Sequence, residues 1–231
     1  MLLDVDVQVD LPQDDWRPPP RATAPSDLLL LIHGRSGGVV PDELLQLAEE
    51  LRQQRGCRVI VQSLTDPLAA EQALALEPAP LTLVPLFQLP GHHVRHDLPA
   101  IAAQWRLRRW PLRRLPFLGA WPRWQQELAE ALGEAQAQGW RPELLHHPLG
   151  GPLAARYPQA LSQRLGLPCR PWDVAAYSGE RALLVPLAVA ANRLSETLQR
   201  WERPPGVQVW PPLLQQLRFR RLLLEQLLLL A

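Results

Sequence analysis

The chain contains no lysine: all 24 of its basic residues are arginine, set against 23 acidic ones. A net charge of +1 excludes a general nucleic-acid coat, which needs a strongly basic face. Only two cysteines occur, Cys57 and Cys169, and they make no CxxC pair. That excludes a disulfide framework and an obvious iron–sulfur or structural zinc site, and it leads us to expect a reducing, cytoplasmic setting. The acidic amino terminus shows no signal-peptide pattern. No apolar run reaches transmembrane length; the leucine-rich stretch Leu222–Leu230 is too short and is interrupted by Glu225. Isoleucine is scarce and proline reaches 26, a coding bias towards Arg, Pro, Leu and Ala to which we assign no function.

What remains is ordinary globular material: 231 residues, 47% hydrophobic, enough for one large domain or two small ones with a real core. Residues 2–11 alternate Leu3, Val5, Val7, Val9 and Leu11 with polar side chains and predict an edge strand. A Pro- and Asp-rich linker follows over 12–26. Asp27–His33 predicts a buried strand ending in the turn Gly34–Gly38, and Pro41 opens a helix with Leu44, Leu45, Leu47, Ala48 and Leu51 on its apolar face, stopped by Gly56. A strand over Cys57–Leu64, a weak helix over Pro67–Glu77, a strand near Leu112–Leu118 and a helix over Pro122–Gln138 complete this half, with Gly139 as its cap. Strands alternating with helices predict βαβ units and a parallel sheet.

The chemistry gathers in Leu81–Pro99, LTLVPLFQLPGHHVRHDLP. Its apolar start reads as a strand buried on both faces. Pro90-Gly91 breaks it, and His92, His93 and His96 follow in the loop at its carboxyl end. Asp97 and Pro99 read as the N-cap and first turn of a helix from about Leu98 to Trp110. All six histidines fall in three such loops, at 33, at 92, 93 and 96, and at 146 and 147. In the strand order 2-1-3-4, strands one and three are neighbours, so His33 and His93 face one crevice at the topological switch point. Two neutral imidazoles without a thiolate suit a borderline divalent metal in an open coordination sphere.

The second half repeats the first in order. LLHHPLGG at 144–151 lies over LIHGRSGG at 31–38, LVPL occurs at 83–86 and at 184–187, ANRLSETLQRW at 191–201 matches the helix after the first copy, and Cys57 and Cys169 fall in matching places. This copy is degenerate: Arg193 and Leu194 stand where the first has His92 and His93, and too few residues separate a strand near Ala175 from Ala182 for a parallel crossover. We therefore expect an α/β protein with a strand and linker over 1–26, an active Rossmann-like lobe over 27–139 and a degenerate second lobe over 140–231.

LLIHG, then LVPLFQLPGHHVRHDLP, then LPFLGAWPRW resembles the CbiX/SirB type of sirohydrochlorin chelatase over roughly residues 27–130. The resemblance implies two flavodoxin-like lobes around a tetrapyrrole cleft and ATP-independent insertion of Co²⁺ or Fe²⁺ as the substrate metal, with no tightly bound cofactor. It implies that His33 and His93 act as metal ligands and base, and that Asp97 is the motif's aspartate, while His92 occupies a variable position. It implies a tetrapyrrole with eight carboxylates, for which Arg35, Ser36, His92 and Arg95 are candidate contacts, together with the run Arg106, Arg108, Arg109, Arg113 and Arg114. The chain departs from the pattern in reading His-Gly-Arg-Ser at 33–36, and in having Thr65 and Asp66 where the family often has a glutamate. The expected partners are the tetrapyrrole and the metal, with no nucleic acid and no membrane span, in a monomer of two lobes rather than an obligate dimer. Two alternatives share these residues. Gly34-Arg35-Ser36-Gly37-Gly38 matches the G-x-S-x-G elbow of a serine hydrolase with Ser36 as nucleophile and His146 or His147 as base. A non-catalytic tetrapyrrole or metal carrier is the other.

Overall fold

The computed structural model describes residues 25–34, 39–64, 79–107, 111–149, 156–172 and 181–230. The predicted strand at 2–11, most of the linker, Arg35, Ser36, Thr65, Asp66, the weak helix at 67–77, and Arg108 and Arg109 lie outside them.

Strand β1 (Asp27–Ile32) is buried at every position, because its uninterrupted leucines have a core on each side. Leu28, Leu30 and Ile32 point into one and Leu29 and Leu31 into the other, as the two-residue period of a strand requires. It is flanked in parallel by β2 (Val59–Ser63) and β3 (Leu81–Pro85), and β3 by β4 (Leu112–Arg114), in the order β2-β1-β3-β4. The second sheet, β5 (Arg141–His146), β6 (Cys169–Pro171), β7 (Ala182–Pro186) and β8 (Val207–Val209), repeats that order as β6-β5-β7-β8, again all parallel. The repetition reaches single hydrogen bonds: Leu86 N–H donates to the Leu31 carbonyl in one lobe and Leu187 N–H to the Leu145 carbonyl in the other, each at 2.8 Å. Two parallel α/β lobes of one topology are thus present in the chain.

Among the described residues six helices cover the sheets: α1 (Asp42–Arg55), α2 (Leu98–Leu107), α3 (Pro122–Ala137), α4 (Arg156–Leu165), α5 (Arg193–Arg200) and α6 (Leu217–Leu228). The inward faces of both sheets share one apolar layer with α1, α3 and α6; Leu30, Val84, Leu183, Val185, Trp124 and Phe219 all belong to it. Trp124 of α3 and Phe219 of α6 meet with ring centroids 5.3 Å apart. The outer faces pack separately, β1 and β3 under α2 and β5 and β7 under α5. Helix α1 is also tied to the second half by polar contacts. Arg55 donates to the carbonyls of Leu227 and Leu230 at 2.6 Å each, at the end of α6 where carbonyls lack helical partners. Arg220 pairs with Glu50 at 2.8 Å, and Glu43 Oε1 accepts from the Ala191 N–H at 2.7 Å.

Several boundaries differ from expectation. Leu45 is 48% exposed, so the apolar face of α1 is Leu44, Leu47, Ala48 and Leu51. The strand placed near Ala175 lies outside the described residues; the strand described in that part of the chain is β6, which ends at Pro171. Strand β4 is only three residues, since a 3₁₀ turn at Leu118–Ala120 follows it closely. That turn fixes the loop after β3. Gly119 N–H donates to the Phe87 carbonyl at 2.9 Å, and a Cβ on Gly119 would lie 2.0 Å from the Gln88 carbonyl oxygen. Backbone cannot yield as a flexible side chain does. Gly119→Ala is therefore expected to cost about 3 kcal/mol of stability. Chemical denaturation would show it as a lowered midpoint; an unchanged midpoint would mean that the two turns slide apart freely.

Candidate functional site

A cleft of about 710 Å³ opens where the carboxyl ends of the two sheets meet. His33 and Gly34 after β1, Leu86–Leu89 and Gly91–Val94 after β3, His146–Leu149 after β5, and Leu187–Leu194 with Glu196 after β7 line it. These are the switch points of both sheets, the places where adjacent strands send their connections in opposite directions and leave room for a ligand.

His33 follows the last residue of β1 and is exposed to the cleft. Its Nδ1–H donates to the Gly34 carbonyl at 3.0 Å. Gly34 has φ of 79°, a left-handed conformation in which a side chain would be strained. A carbonyl only accepts, so this bond sets the tautomer and leaves Nε2 with its lone pair.

His93 arrives by a different route from the one expected. The loop after β3 does not run extended through the histidines; His92 is already helical, and His93–Asp97 form a π-helical turn that leads directly into α2. Asp97 is consequently not an N-cap. Its Oδ2 accepts from His93 Nδ1 at 2.5 Å, four residues back on the same face of the turn. A carboxylate on one ring nitrogen fixes the orientation of the imidazole and turns the other nitrogen outward. The wide turn is what brings this pair inward, as π turns often do at functional sites. The His33 and His93 rings then meet edge to face, centroids 4.6 Å apart at 78°. Phe87 stacks near His93 at 6.5 Å and 22°. His92 instead stacks on His96 at 4.5 Å, one turn along, and its Nε2 stands 3.9 Å from Asp97. Among the described residues, no set of three or more His, Cys, Asp or Glu side chains surrounds one point.

From the other lobe, His146 ends β5 as His33 follows β1, and it makes the same local bond: its Nδ1–H donates to the His147 carbonyl at 2.7 Å. It is buried, and burial holds its pKa below the usual histidine value against the opposing effect of that bond. His147 is exposed to the cleft; withdrawal from solvent, then the nearby Arg193 charge, His33 and His146, lower its pKa as well. Leu194, in the position of His93, is buried in the outer core of its lobe. Arg193 and His147 carry no local sequence signal of a site, because their shared position in the cleft depends on how the lobes face each other.

The remaining candidates separate. Arg95, Arg106, Arg113 and Arg114 do not line the cleft. Arg106 is exposed on α2, and Arg113 and Arg114 are half-buried in β4. Both cysteines are free, and burial pushes the Cys169 thiol up to about 12, so it offers no thiolate at neutral pH. The hydrolase alternative gains nothing, since His146 turns Nδ1 to a carbonyl rather than to a carboxylate. No helix among the described residues is long and apolar enough to cross a membrane.

Two like-ordered parallel sheets with a cleft between their carboxyl ends make a fold that solved structures share. Solved structures with this fold include CbiX, the terminal enzyme of sirohaem biosynthesis in denitrifying bacteria, at 20% identity over 87% of this chain and 96% of that one, with a TM-score of 0.58. The sirohydrochlorin chelatase SirB from Bacillus subtilis subspecies spizizenii, solved in complex with cobalt, aligns at 15% identity over 88% and 94% with a TM-score of 0.60. A multi-domain Deinococcus radiodurans protein described as structurally similar to chelatases aligns at 21% identity over 90% of this chain and 55% of its own, with a TM-score of 0.53. No family model and no curated protein matches the sequence.

The lowered pKa of His146 ties stability to pH. The folded chain holds this proton less tightly than the unfolded chain, so stability is intact above about pH 6.5 and is lost as the pH falls through the depressed value. Denaturation midpoints measured from about pH 8 to about pH 5.5 are expected to fall, and to fall less steeply for His146→Asn. Parallel profiles for the two proteins would remove His146 as a source of the slope.

Proposed function

We propose that this protein is a sirohydrochlorin chelatase, inserting Co²⁺ or Fe²⁺ into the macrocycle without ATP, in the cytoplasm, in the synthesis of sirohaem or cobalamin. The observation that carries the reading is the edge-to-face approach of His33 and His93 at 4.6 Å, on opposite sides of a strand boundary in the interlobe cleft. Two imidazoles bound to one metal at about 2.1 Å per bond have centroids about 4.5 Å apart at a right angle and about 5.2 Å apart at the tetrahedral angle. The observed spacing falls within that range. Borderline cations such as Co²⁺ and Fe²⁺ favour such nitrogen ligands.

The two imidazoles have different partners and hence different work. His33 rests on a neutral carbonyl, which supports a neutral ligand. His93 rests on Asp97, which supports an imidazolium once a proton is accepted. Metallation releases two pyrrole N–H protons as the cation enters the ring. Once the cation has passed from His93 to the ring, His93 Nε2 is free to accept one of these protons, Asp97 holding the resulting charge in place, and the other proton passes to water. Loss of the proton to water resets the pair. A cleft of about 710 Å³ is of the size that encloses a small-molecule ligand. His92, stacked on His96, binds substrate at the mouth without entering the chemistry.

Absorbance of sirohydrochlorin with Co²⁺ tests the proposal and separates an enzyme from a carrier, which binds without accelerating insertion. His33→Ala and His93→Ala are each expected to lower kcat by at least about 100-fold, His92→Ala to raise KM a few-fold, and Asp97→Asn to lower kcat/KM by about 10- to 100-fold. Turnover by His93→Ala near the wild-type rate would sink the assignment.

A further inference from the structure

The duplicated lobe keeps the frame of the first but carries different chemistry at the equivalent positions. Aligned through Pro85 and Pro186, the last residues of β3 and β7, His92 corresponds to Arg193 and His93 to Leu194. Leu194 is buried in its lobe's outer core, so this strand end cannot hold a cation as the first does. Arg193 opens α5, is exposed and lines the cleft. Its guanidinium makes no hydrogen bond or ion pair among the described residues. His147 lies close enough for the Arg193 charge to bear on it. The amide of α5 that an anion would first approach is already engaged, because Asn192 and Ser195 close a capping box. Anion recognition here therefore rests on side chains and not on the helix end.

The opposite wall adds an independent sign of a missing acceptor. Gln88 lines the same cleft at 6% exposure, and its Nε2 is buried without a hydrogen-bond partner among the described residues. Its backbone is clamped by the close approach of Gly119. A buried amide donor left unpaired costs free energy, which a ligand acceptor relieves. Among the described residues that line the cleft, Glu196 is the only acidic one.

We propose that Arg193, with His147 beside it, forms a carboxylate subsite that seats an acidic side chain of the tetrapyrrole on the second lobe while the first lobe presents the metal. This rests on the chelatase reading above and adds the orientation of the substrate. A guanidinium is suited to the task because its fork of donors matches a carboxylate. With one wall cationic and the other ligating, the macrocycle is held by its periphery and its nitrogens face His33 and His93.

Uroporphyrin, a fluorescent octacarboxylate, serves as a binding probe that needs no metal insertion. Fluorescence titration is expected to show Arg193→Gln binding it about tenfold more weakly than wild type, with a shallower dependence of affinity on salt. Arg193→Lys is expected to recover part of the affinity, since it restores the charge without the fork. Co²⁺ titration of Arg193→Gln is expected to match wild type, showing that the first lobe is intact. Equal uroporphyrin affinity and equal salt dependence for wild type and Arg193→Gln would overturn the subsite alone. Failure of the wild-type protein to bind uroporphyrin would overturn the tetrapyrrole reading along with it.

Discussion

The apolar layer shared by the two sheets is the constraint from which the site follows. Each sheet turns one face inward, and α1, α3 and α6 fill the space between, so neither lobe completes its core without the other. Burial of this kind is not directional. Direction comes from the polar ties that α1 makes at its edges, from Arg55 to the end of α6 and from Glu43 to the loop after β7. The Glu43 bond holds Ala191 directly before Asn192 and Arg193, so the brace that joins the lobes also positions the second wall of the cleft.

Within that frame, the two switch points show how a duplicated fold can divide labour. Both keep a histidine at the end of the first strand, its Nδ1–H bonded to the next carbonyl, because the backbone there is the same. They diverge at the start of the following helix. The first lobe uses a π-helical turn to set Asp97 behind His93, whereas the second begins a regular helix with a capping box and places Arg193 at its first position. On the function proposed above, one turn presents an imidazole to a cation, and the other a cation to an acid. Such a division does not require either lobe to work alone, and it explains why a degenerate copy retains a well-packed core and a lined cleft.

The sequence by itself determined a good deal. Runs such as DLLLLI and LTLVP specify strands buried on both faces, because no single-sided sheet accommodates leucine at successive positions. The order of the matching segments carried the duplication, and the flavodoxin-like strand order expected of such a sheet, with histidines at the strand ends, carried the meeting of His33 with His93. These properties are local or follow from topology. Arg95 and the arginines near β4 were legible only as charge, and charge does not say which surface it occupies. The tertiary structure decided the rest. That Asp97 serves His93 depended on a helical turn of the wrong pitch for a regular helix, which a histidine-rich loop does not announce. That Arg193 and His147 share a cleft with His33 depended on the packing of two lobes whose facing residues are distant in sequence, and periodicity has no reach over that distance.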